Sequence, residues 1–269
     1  MALARTKRLP SRPVILLLQL GVLVAFFLIW HVLTETKILS PFFFGTPLAV
    51  LARTWTDFAS GVIWYHLGIT LLETALAFAI GTAAGIAFGF WFARAPLISV
   101  VFDPYIKAVN ALPRVVLAPI FALWLGLGIW SKVALGVTLV FFIVFFNVYQ
   151  GVKEVSPVVL ANARMLGANS RHLFRHVYLP SALSWVFSSL HTAVGFAMVG
   201  AVVGEYLGSA AGLGYRIHLA EGVFDTVGVF SGMLVLTIFV VVIDAMVTVI
   251  EKRLLHWRPQ EAHTTNAQG

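Results

Sequence analysis

Two histidines four residues apart are the most obvious candidates for chemistry in this 269-residue sequence. On a helix, the spacing of His172 and His176 places both imidazoles on one face, where they could share a metal ion. No carboxylate or third ligand accompanies them, and Arg171 and Arg175 place a cation beside each ring. We therefore expect no metal site, and we interpret the pair as part of a solvated surface that faces a partner protein.

Enzymatic motifs give no support to catalysis. The sequence contains no His-Glu-x-x-His, no Gly-x-Ser-x-Gly and no cluster of carboxylates. The stretch from Gly126 to Lys132 comes nearest to a phosphate-binding loop, but it lacks the required Gly-x-x-x-x-Gly-Lys-Ser/Thr spacing. The absence of cysteine excludes disulfides, thiolate metal sites and cysteine nucleophiles. We expect no catalytic residue, no metal ligand and no cofactor in this chain.

Glu73 and Asp244 are acids within long apolar runs. A carboxylate at the centre of a membrane span costs about 2–3 kcal/mol unless it faces protein or water. One interpretation is structural pairing, and the other is a proton relay of the kind found in secondary transporters. Two isolated acids favour structural pairing.

Composition defines the elements that must position these residues. The chain is 60% hydrophobic and 11% charged, with a mean hydropathy of +0.94, whereas a soluble domain carries about 25% charged residues. A soluble chain of this length could not bury so much apolar surface. The composition predicts an all-α integral membrane protein. Its net charge of +7 is typical of cytoplasmic loops in such proteins, and no basic run or aromatic-interleaved basic patch points to nucleic acid.

Apolar runs long enough to cross about 30 Å of hydrocarbon predict about six transmembrane helices. The second contains the glycines Gly81, Gly85 and Gly89 at four-residue spacing, which allows close approach of a neighbouring helix. The predicted organisation is a tail at 1–13, a transmembrane domain at 14–250 and a tail at 251–269, with spans at 14–33, 67–93, 112–130, 133–150, 181–207 and 227–250.

The distribution of positive charge predicts the orientation. With the N-terminus inside, fourteen of the 18 Lys and Arg residues fall on the cytoplasmic side, leaving Lys37, Arg53, Lys132 and Arg216 outside. Cations are enriched in cytoplasmic loops. Both termini are therefore predicted to be cytoplasmic, as is the loop at 151–180.

That loop is the longest polar interior segment. Pro157 can start a helix that runs to Leu166 and stops at Gly167, the residue type best suited to a left-handed cap. Asn169 or Ser170 can cap a second helix, which is expected to end before Pro180. The alternative is an ordinary linker at the membrane surface.

The loop resembles the coupling loop of binding-protein-dependent ABC importer permeases, with its pattern Glu-Ala-Ala-x-x-x-Gly followed by Leu-Pro. Gly167 matches the glycine, and Leu179-Pro180 matches the final pair. Ala161 and Asn162 replace the glutamate and first alanine of the family, and Ala163 keeps the second alanine.

The resemblance covers residues 14–259, and within this range the chain is similar to permeases of the nitrate, sulfonate and taurine type. Its motifs are Ala111-Leu112-Pro113, Ala118-Pro119, Trp124-Leu125-Gly126-Leu127-Gly128, Gly204-Glu205-Tyr206-Leu207-Gly208, Gly212-Leu213-Gly214 and Arg253-Leu254-Leu255. At Glu73 the family usually carries an arginine, so this chain has the opposite charge there.

The resemblance implies a type I ABC importer permease fold (MetI-like) with a cytoplasmic coupling helix, in the inner membrane of a bacterium. It implies partners: a second permease copy, two ATPase subunits that bind ATP and Mg, and an extracytoplasmic substrate-binding protein. The substrate class it implies is small and anionic or polar, such as nitrate, sulfonates or taurine.

The resemblance also implies functional residues in two sets. The ATPase-coupling residues would be Asn162, Ala163, Arg164, Leu166, Gly167 and Ala168. The translocation path and gate would include Pro113, Pro119, Asn147, Met198 and Glu205, although ordinary packing remains open for Asn147.

Two other classes of function remain as alternatives. A secondary transporter or channel would work without ATP, but the sequence shows no internal repeat and no paired broken helices in matching halves. A membrane enzyme would need the motifs whose absence is described above. Co-purification with an ATPase separates the first interpretation from both.

Overall fold

The computed structural model describes residues 11–254, and all regular structure within that range is helical. This confirms the all-α fold. A 3-10 helix at Arg114–Val116 precedes α6, and a π-helical turn at Phe174–Tyr178 joins α9 to α10. The predicted tails at 1–13 and 251–269 fall largely outside the described residues.

Numbered along the chain, the α-helices are α1 (Arg12–Glu35), α2 (Pro41–Phe44), α3 (Pro47–Ala59), α4 (Val62–Arg94), α5 (Pro96–Asn110), α6 (Leu117–Leu125), α7 (Ile129–Lys153), α8 (Pro157–Met165), α9 (Ser170–Leu173), α10 (Leu179–Leu207), α11 (Leu213–Gly222) and α12 (Thr226–Leu254).

Within residues 11–254, five helices are long and apolar enough to cross a membrane, and one bent pair brings the number to six. These dimensions agree with the prediction of about six spans. The five continuous segments are Pro13–Glu35, Val62–Arg94, Ile129–Lys153, Trp185–Leu207 and Thr226–Val249.

The structure differs from the third predicted span, 112–130. Instead of one helix, Pro96–Asn110 and Arg114–Leu125 are bent by 75° relative to each other. Pro113 has no N–H to continue a helix, and Gly126 adopts a φ of +76° that ends the second segment. The first segment was not recognised as part of a span because it contains charges, Asp103 and Lys107, which the structure pairs at 2.7 Å.

The core consists of α4, α7 and α10, with α7 in close contact with both neighbours. The glycines Gly81, Gly85 and Gly89 of α4 lie against valines of α7, and a Cβ on each would come within 2.7–2.8 Å of a valine Cβ. The close helix approach predicted from the glycine spacing is confirmed. On the α10 side, a Cβ on Gly200 would lie 2.4 Å from the Cα of Gly136. Side chains larger than hydrogen at these positions would push the helices apart.

The remaining helices surround this core. Most side chains of α1 are exposed, as expected of a helix that faces lipid, and α12 packs against α3, α10 and α11. At the predicted outer side, Arg216 of α11 donates to Asp57 of α3 at 3.2 Å, and Arg53 lies 3.5 Å from both Asp57 and Asp225. These ion pairs join α3, α11 and the start of α12 at one end of the bundle.

Candidate coupling loop and translocation pathway

The first half of the loop at 151–180 is a short helix with a glycine-dependent end. Helix α8 begins at Pro157 and ends at Met165, one residue before the predicted end. Gly167 has a φ of +84°, and the N–H of Ala168 donates to the carbonyl of Ala163 at 3.0 Å. This hydrogen bond, together with the left-handed conformation of Gly167, is the Schellman motif that ends many α-helices. The predicted turn at Gly167 is therefore present.

The second half of the loop leads directly into α10. The Asn169 side chain caps α9 by accepting from the N–H of His172 at 2.9 Å, as predicted. The helix does not end before Pro180, however, which corrects the prediction. The π-helical turn at Phe174–Tyr178 carries the chain into α10 with Pro180 in its first turn, where a missing N–H is tolerated.

Exposed apolar side chains cover the tip of the loop. Met165 is 80% exposed and Leu166 is 89% exposed, and Val158 at the start of α8 is also exposed. Large apolar side chains grouped on a polar loop are typical of a protein-binding surface. Of the other predicted coupling residues, Asn162, Arg164 and Gly167 are exposed, and Ala163 and Ala168 are half-buried.

Arg164 lies next to other cations of its own chain. It lines a cavity of about 440 Å³ between α8 and the adjacent ends of α4 and α7, together with Arg94 and Lys153. Arg94 also lies over the Phe174 ring, 5.5 Å from its centroid. Arg164 is therefore available both to this cavity and to a partner.

The two histidines of the loop already have partners. Their rings stack with centroids 5.9 Å apart. The Nδ1 of His172 is 2.9 Å from Oδ1 of Asn169, and the Nδ1 of His176 is 3.2 Å from the carbonyl of His172. Across residues 11–254, no group of three His, Cys, Asp or Glu side chains could hold a metal ion.

The predicted pathway residues do not form one site. Met198 lines a groove between α10 and α12, although only 3% of it is exposed. Asn147 donates to the carbonyl of Ile143 on its own helix at 2.8 Å, near the loop end of α7. Pro113 and Pro119 are exposed in the bent segment between α5 and α7. These residues therefore lie on different elements, and only Met198 borders the groove.

Glu205, also predicted for the pathway, is fully buried near the end of α10 that lies at the predicted outer side. Its Oε1 accepts from the hydroxyl of Thr70 at 2.6 Å, and its Oε2 accepts from the N–H of Gly214 at 2.7 Å. Gly214 belongs to α11 and Thr70 to α4. The carboxylate thus joins three helices.

Glu205 belongs to a buried charged cluster with Glu73 of α4 and Lys132 of α7, each at most 1% exposed. The Lys132 ammonium donates to the carbonyls of Leu127 and Gly128 at 2.6 and 3.1 Å and faces both carboxylates. Oε2 of Glu73 has no hydrogen-bond partner, so the structural pairing expected of Glu73 stays a prediction. Lys132, which the charge distribution places among the outer cations, is buried in the same cluster. The only signal in the sequence was its position at the start of an apolar span.

Asp244 of α12 pairs with His191 of α10, with 2.8 Å between Oδ1 and Nδ1. Unlike the buried cluster, this pair is accessible, because the side chains of His191 and Asp244 are 30% and 49% exposed. The sequence reasoning identified the acid but missed its partner. A single histidine within the fifth span was the available signal.

Comparison with known proteins adds independent findings. A family model described as binding-protein-dependent transport system inner membrane component matches residues 81–256. A formylaminopyrimidine transport permease protein, ThiX, of Halalkalibacterium halodurans is 34% identical over 236 residues, covering 87% of this chain and 92% of the relative. The taurine transport system permease protein TauC of Escherichia coli is 26% identical over 245 residues, covering 89% of each.

Solved structures show the same architecture. An inward-facing methionine ABC transporter, MetNI, superposes with a TM-score of 0.62 at 17% identity, covering 72% of this chain and 97% of the other. An amino acid ABC transporter solved with histidines gives a TM-score of 0.57 at 19% identity, covering 76% and 96%. At this identity the likeness concerns the fold.

Proposed function

This chain belongs to the family of binding-protein-dependent transport system inner membrane components, and we propose that it moves substrate by alternating access, driven through its loop at 151–180 by a separate ATPase. It is the permease subunit of an ATP-driven importer, and ATP hydrolysis resides in another chain. In this proposal that ATPase binds both ATP and Mg.

The observation that carries the proposal is the continuity between the loop and the core. The chain runs without a break in helical structure from α9 through the π turn into α10, along residues 170–207. The exposed tip at Met165 and Leu166 stands directly before this segment. An ATPase subunit that binds the tip would therefore move α10 as a rigid body against α7. Rigid-body motion of this kind switches a transporter between its outward-open and inward-open states.

A substitution at the tip tests this proposal. Leu166→Ser removes an apolar side chain whose burial is worth about 1.5–3 kcal/mol, so we expect ATPase binding to weaken by about tenfold or more. Val223→Ser is the matched control, since Val223 is 75% exposed at the other end of the bundle. ATPase retained on purification is the measurement. Equal retention by both variants contradicts the proposed role of the tip.

The assembly we propose contains two copies of this chain, two ATPase subunits and an extracytoplasmic binding protein. Similarity to the taurine permease supports a small anionic or polar substrate of the nitrate, sulfonate or taurine class. The groove between α10 and α12 and the cavity beside α8 are both open rather than enclosed, so neither has the shape that would select one substrate. The binding protein therefore makes the first selection in this account.

The orientation we propose, with both termini cytoplasmic, rests on the distribution of Lys and Arg. Because the chain has no cysteine, single cysteines are clean probes for an impermeant thiol reagent in intact cells. Cysteine at Thr46 or Ser209 should label from outside, and cysteine at Ser170 should label only after permeabilisation. Labelling at Ser170 in intact cells reverses the orientation.

A further inference from the structure

Positive charge is concentrated in the cavity of about 440 Å³ that lies between α8 and the adjacent ends of α4 and α7. Three cations line it, Arg94, Lys153 and Arg164, together with the hydroxyl groups of Ser170 and Tyr178. No Asp or Glu is among the described residues that line it. The cavity therefore gathers hydrogen-bond donors and positive charges without a carboxylate to neutralise them.

Aromatic rings, and not carboxylates, hold two of these cations in place. The Arg94 guanidinium lies over the Phe174 ring, 5.5 Å from its centroid, and the Lys153 ammonium lies 4.4 Å from the centroid of the Tyr149 ring. A ring face attracts a cation without cancelling its charge. Within the part of the chain that the structure describes, no carboxylate forms an ion pair with either cation or with Arg164.

The helix ends around the cavity do not cancel the charge either. Each of the three cations lies in the last turn of its helix, where the C-terminal end favours a positive group. A helix C-terminus carries about half of an elementary negative charge, whereas each cation carries a full positive one. Two acids near the cavity in the sequence have other partners, since Glu154 accepts from Gln150 at 2.9 Å and Asp103 pairs with Lys107 at 2.7 Å. The cavity thus keeps a net positive charge that an anion would neutralise.

The position and the walls of the cavity favour a lipid as the source of that anion. Two of the cations are the last residues of their apolar spans, Val62–Arg94 and Ile129–Lys153, so they lie where the hydrocarbon ends and the headgroups begin. Val152, Leu160 and Leu173 also line the cavity, and these apolar side chains suit the glycerol and upper acyl chain of a lipid better than a hydrated ion. Basic pockets between transmembrane helices on the cytoplasmic side bind the headgroups of acidic lipids.

Resting on the proposed orientation, which makes this end of the bundle cytoplasmic, we propose that the cavity binds the phosphate group of an anionic lipid of the inner leaflet. Arg164 belongs to α8, whereas Arg94 and Lys153 belong to the core helices α4 and α7. A phosphate that binds all three therefore holds α8 against the core. The lipid thereby sets the position of the exposed tip at Met165 and Leu166, to which the ATPase binds in the proposed function. Inorganic phosphate offers the same oxygen atoms, and the test separates the two sources.

Lipid binding to the complex with its ATPase tests the site. In a neutral detergent, native mass spectrometry counts bound phosphatidylglycerol, an anionic lipid, and bound phosphatidylcholine, a neutral one, at increasing lipid concentrations. We expect phosphatidylglycerol to bind at the lower concentration. Joint substitution of Arg94→Gln and Lys153→Gln removes two cations that contribute about fivefold each, so half-saturation should need about 25-fold more phosphatidylglycerol.

The matched control removes two cations from the same loop. Arg171 and Arg175 are exposed and are not among the residues that line the cavity. Joint substitution of Arg171→Gln and Arg175→Gln should leave the half-saturating concentration of phosphatidylglycerol unchanged. Equal binding by the two double variants overturns the site. If the cavity variant does not assemble, the unsubstituted complex still decides, because equal affinity for phosphatidylglycerol and phosphatidylcholine also overturns it.

Hydrogen exchange tests the effect on α8 and the source of the phosphate. Exchange of the backbone amides of Pro157–Met165 should slow when phosphatidylglycerol is added to the unsubstituted complex, and it should not slow in the cavity variant. Unchanged exchange at saturating lipid overturns the proposed effect on α8. Inorganic phosphate without anionic lipid should have no effect. If phosphate alone slows the exchange, and the cavity variant does not respond, the anion is a soluble one and the assignment to lipid is overturned.

These outcomes are separate from failure of the proposed function. Lipid is counted in detergent, so the result does not depend on the orientation of the chain in the membrane. ATPase retention is measured on the same preparations. A complex that keeps its ATPase but shows no preference for phosphatidylglycerol rejects only this inference.

Discussion

Two groups of charged side chains lie inside the membrane-spanning helices, and they are accommodated in opposite ways. The cluster of Glu73, Lys132 and Glu205 is fully buried. Glu205 accepts from Thr70 of α4 and Gly214 of α11, Lys132 donates to two carbonyls just before α7, and Oε2 of Glu73 has no hydrogen-bond partner. The pair of His191 and Asp244 is half-exposed, and His191 lines the groove between α10 and α12. Burial of charge without full pairing is expensive. We therefore interpret the first group as a structural connection between helices, and the second as a pair that contributes less to the stability of the fold.

The buried cluster should be the more sensitive of the two to substitution. Lys132→Met leaves two carbonyls without their donor and two carboxylates without a cation, so we expect a loss of about 3–5 kcal/mol in the free energy of unfolding. The measurement is the temperature at which the purified protein aggregates, detected as loss of the monodisperse peak in size-exclusion chromatography. Lys107→Met is the control, since it removes an exposed ion pair with Asp103 that is worth about 1 kcal/mol or less. Similar stability of the two variants contradicts the structural role of Lys132.

The exposed pair should show the reverse behaviour. Asp244→Asn keeps the size of the side chain and an acceptor for His191, and the site is partly open. We expect a loss of less than about 1 kcal/mol in the same thermal assay. A loss as large as that of Lys132→Met shows that the pair is a structural joint like the buried cluster and removes the contrast between them.

Local features of the chain could be predicted from the sequence because their causes are local. Apolar run length predicts all the spans except the bent third one, the glycine spacing at Gly81 predicts the close approach of a neighbouring helix, and Gly167 and Asn169 predict the turn and the cap of the loop. Each depends on residues within one or two helical turns.

The features that were missed depend on distant contacts or on competition between effects. Glu205 meets Thr70 across 135 residues of sequence, and His191 meets Asp244 across 53. No periodicity within one helix reports such partners. In the loop, a helix is predicted to end before Pro180, but the π turn at Phe174–Tyr178 continues directly into α10, which contains Pro180 near its start. The coupling and pathway roles of named residues stay predictions.

The central claim, that the loop transmits ATPase motion to α10, is tested most directly at Gly167. No atom lies within 4 Å of a Cβ built there, so substitution acts only through the left-handed backbone. Gly167→Val disfavours that backbone by about 1–2 kcal/mol, whereas asparagine tolerates it. We predict that Gly167→Val inserts normally but loses binding-protein-stimulated ATP hydrolysis in proteoliposomes, and that Gly167→Asn keeps most of it. Normal stimulation in the Gly167→Val variant would contradict the account.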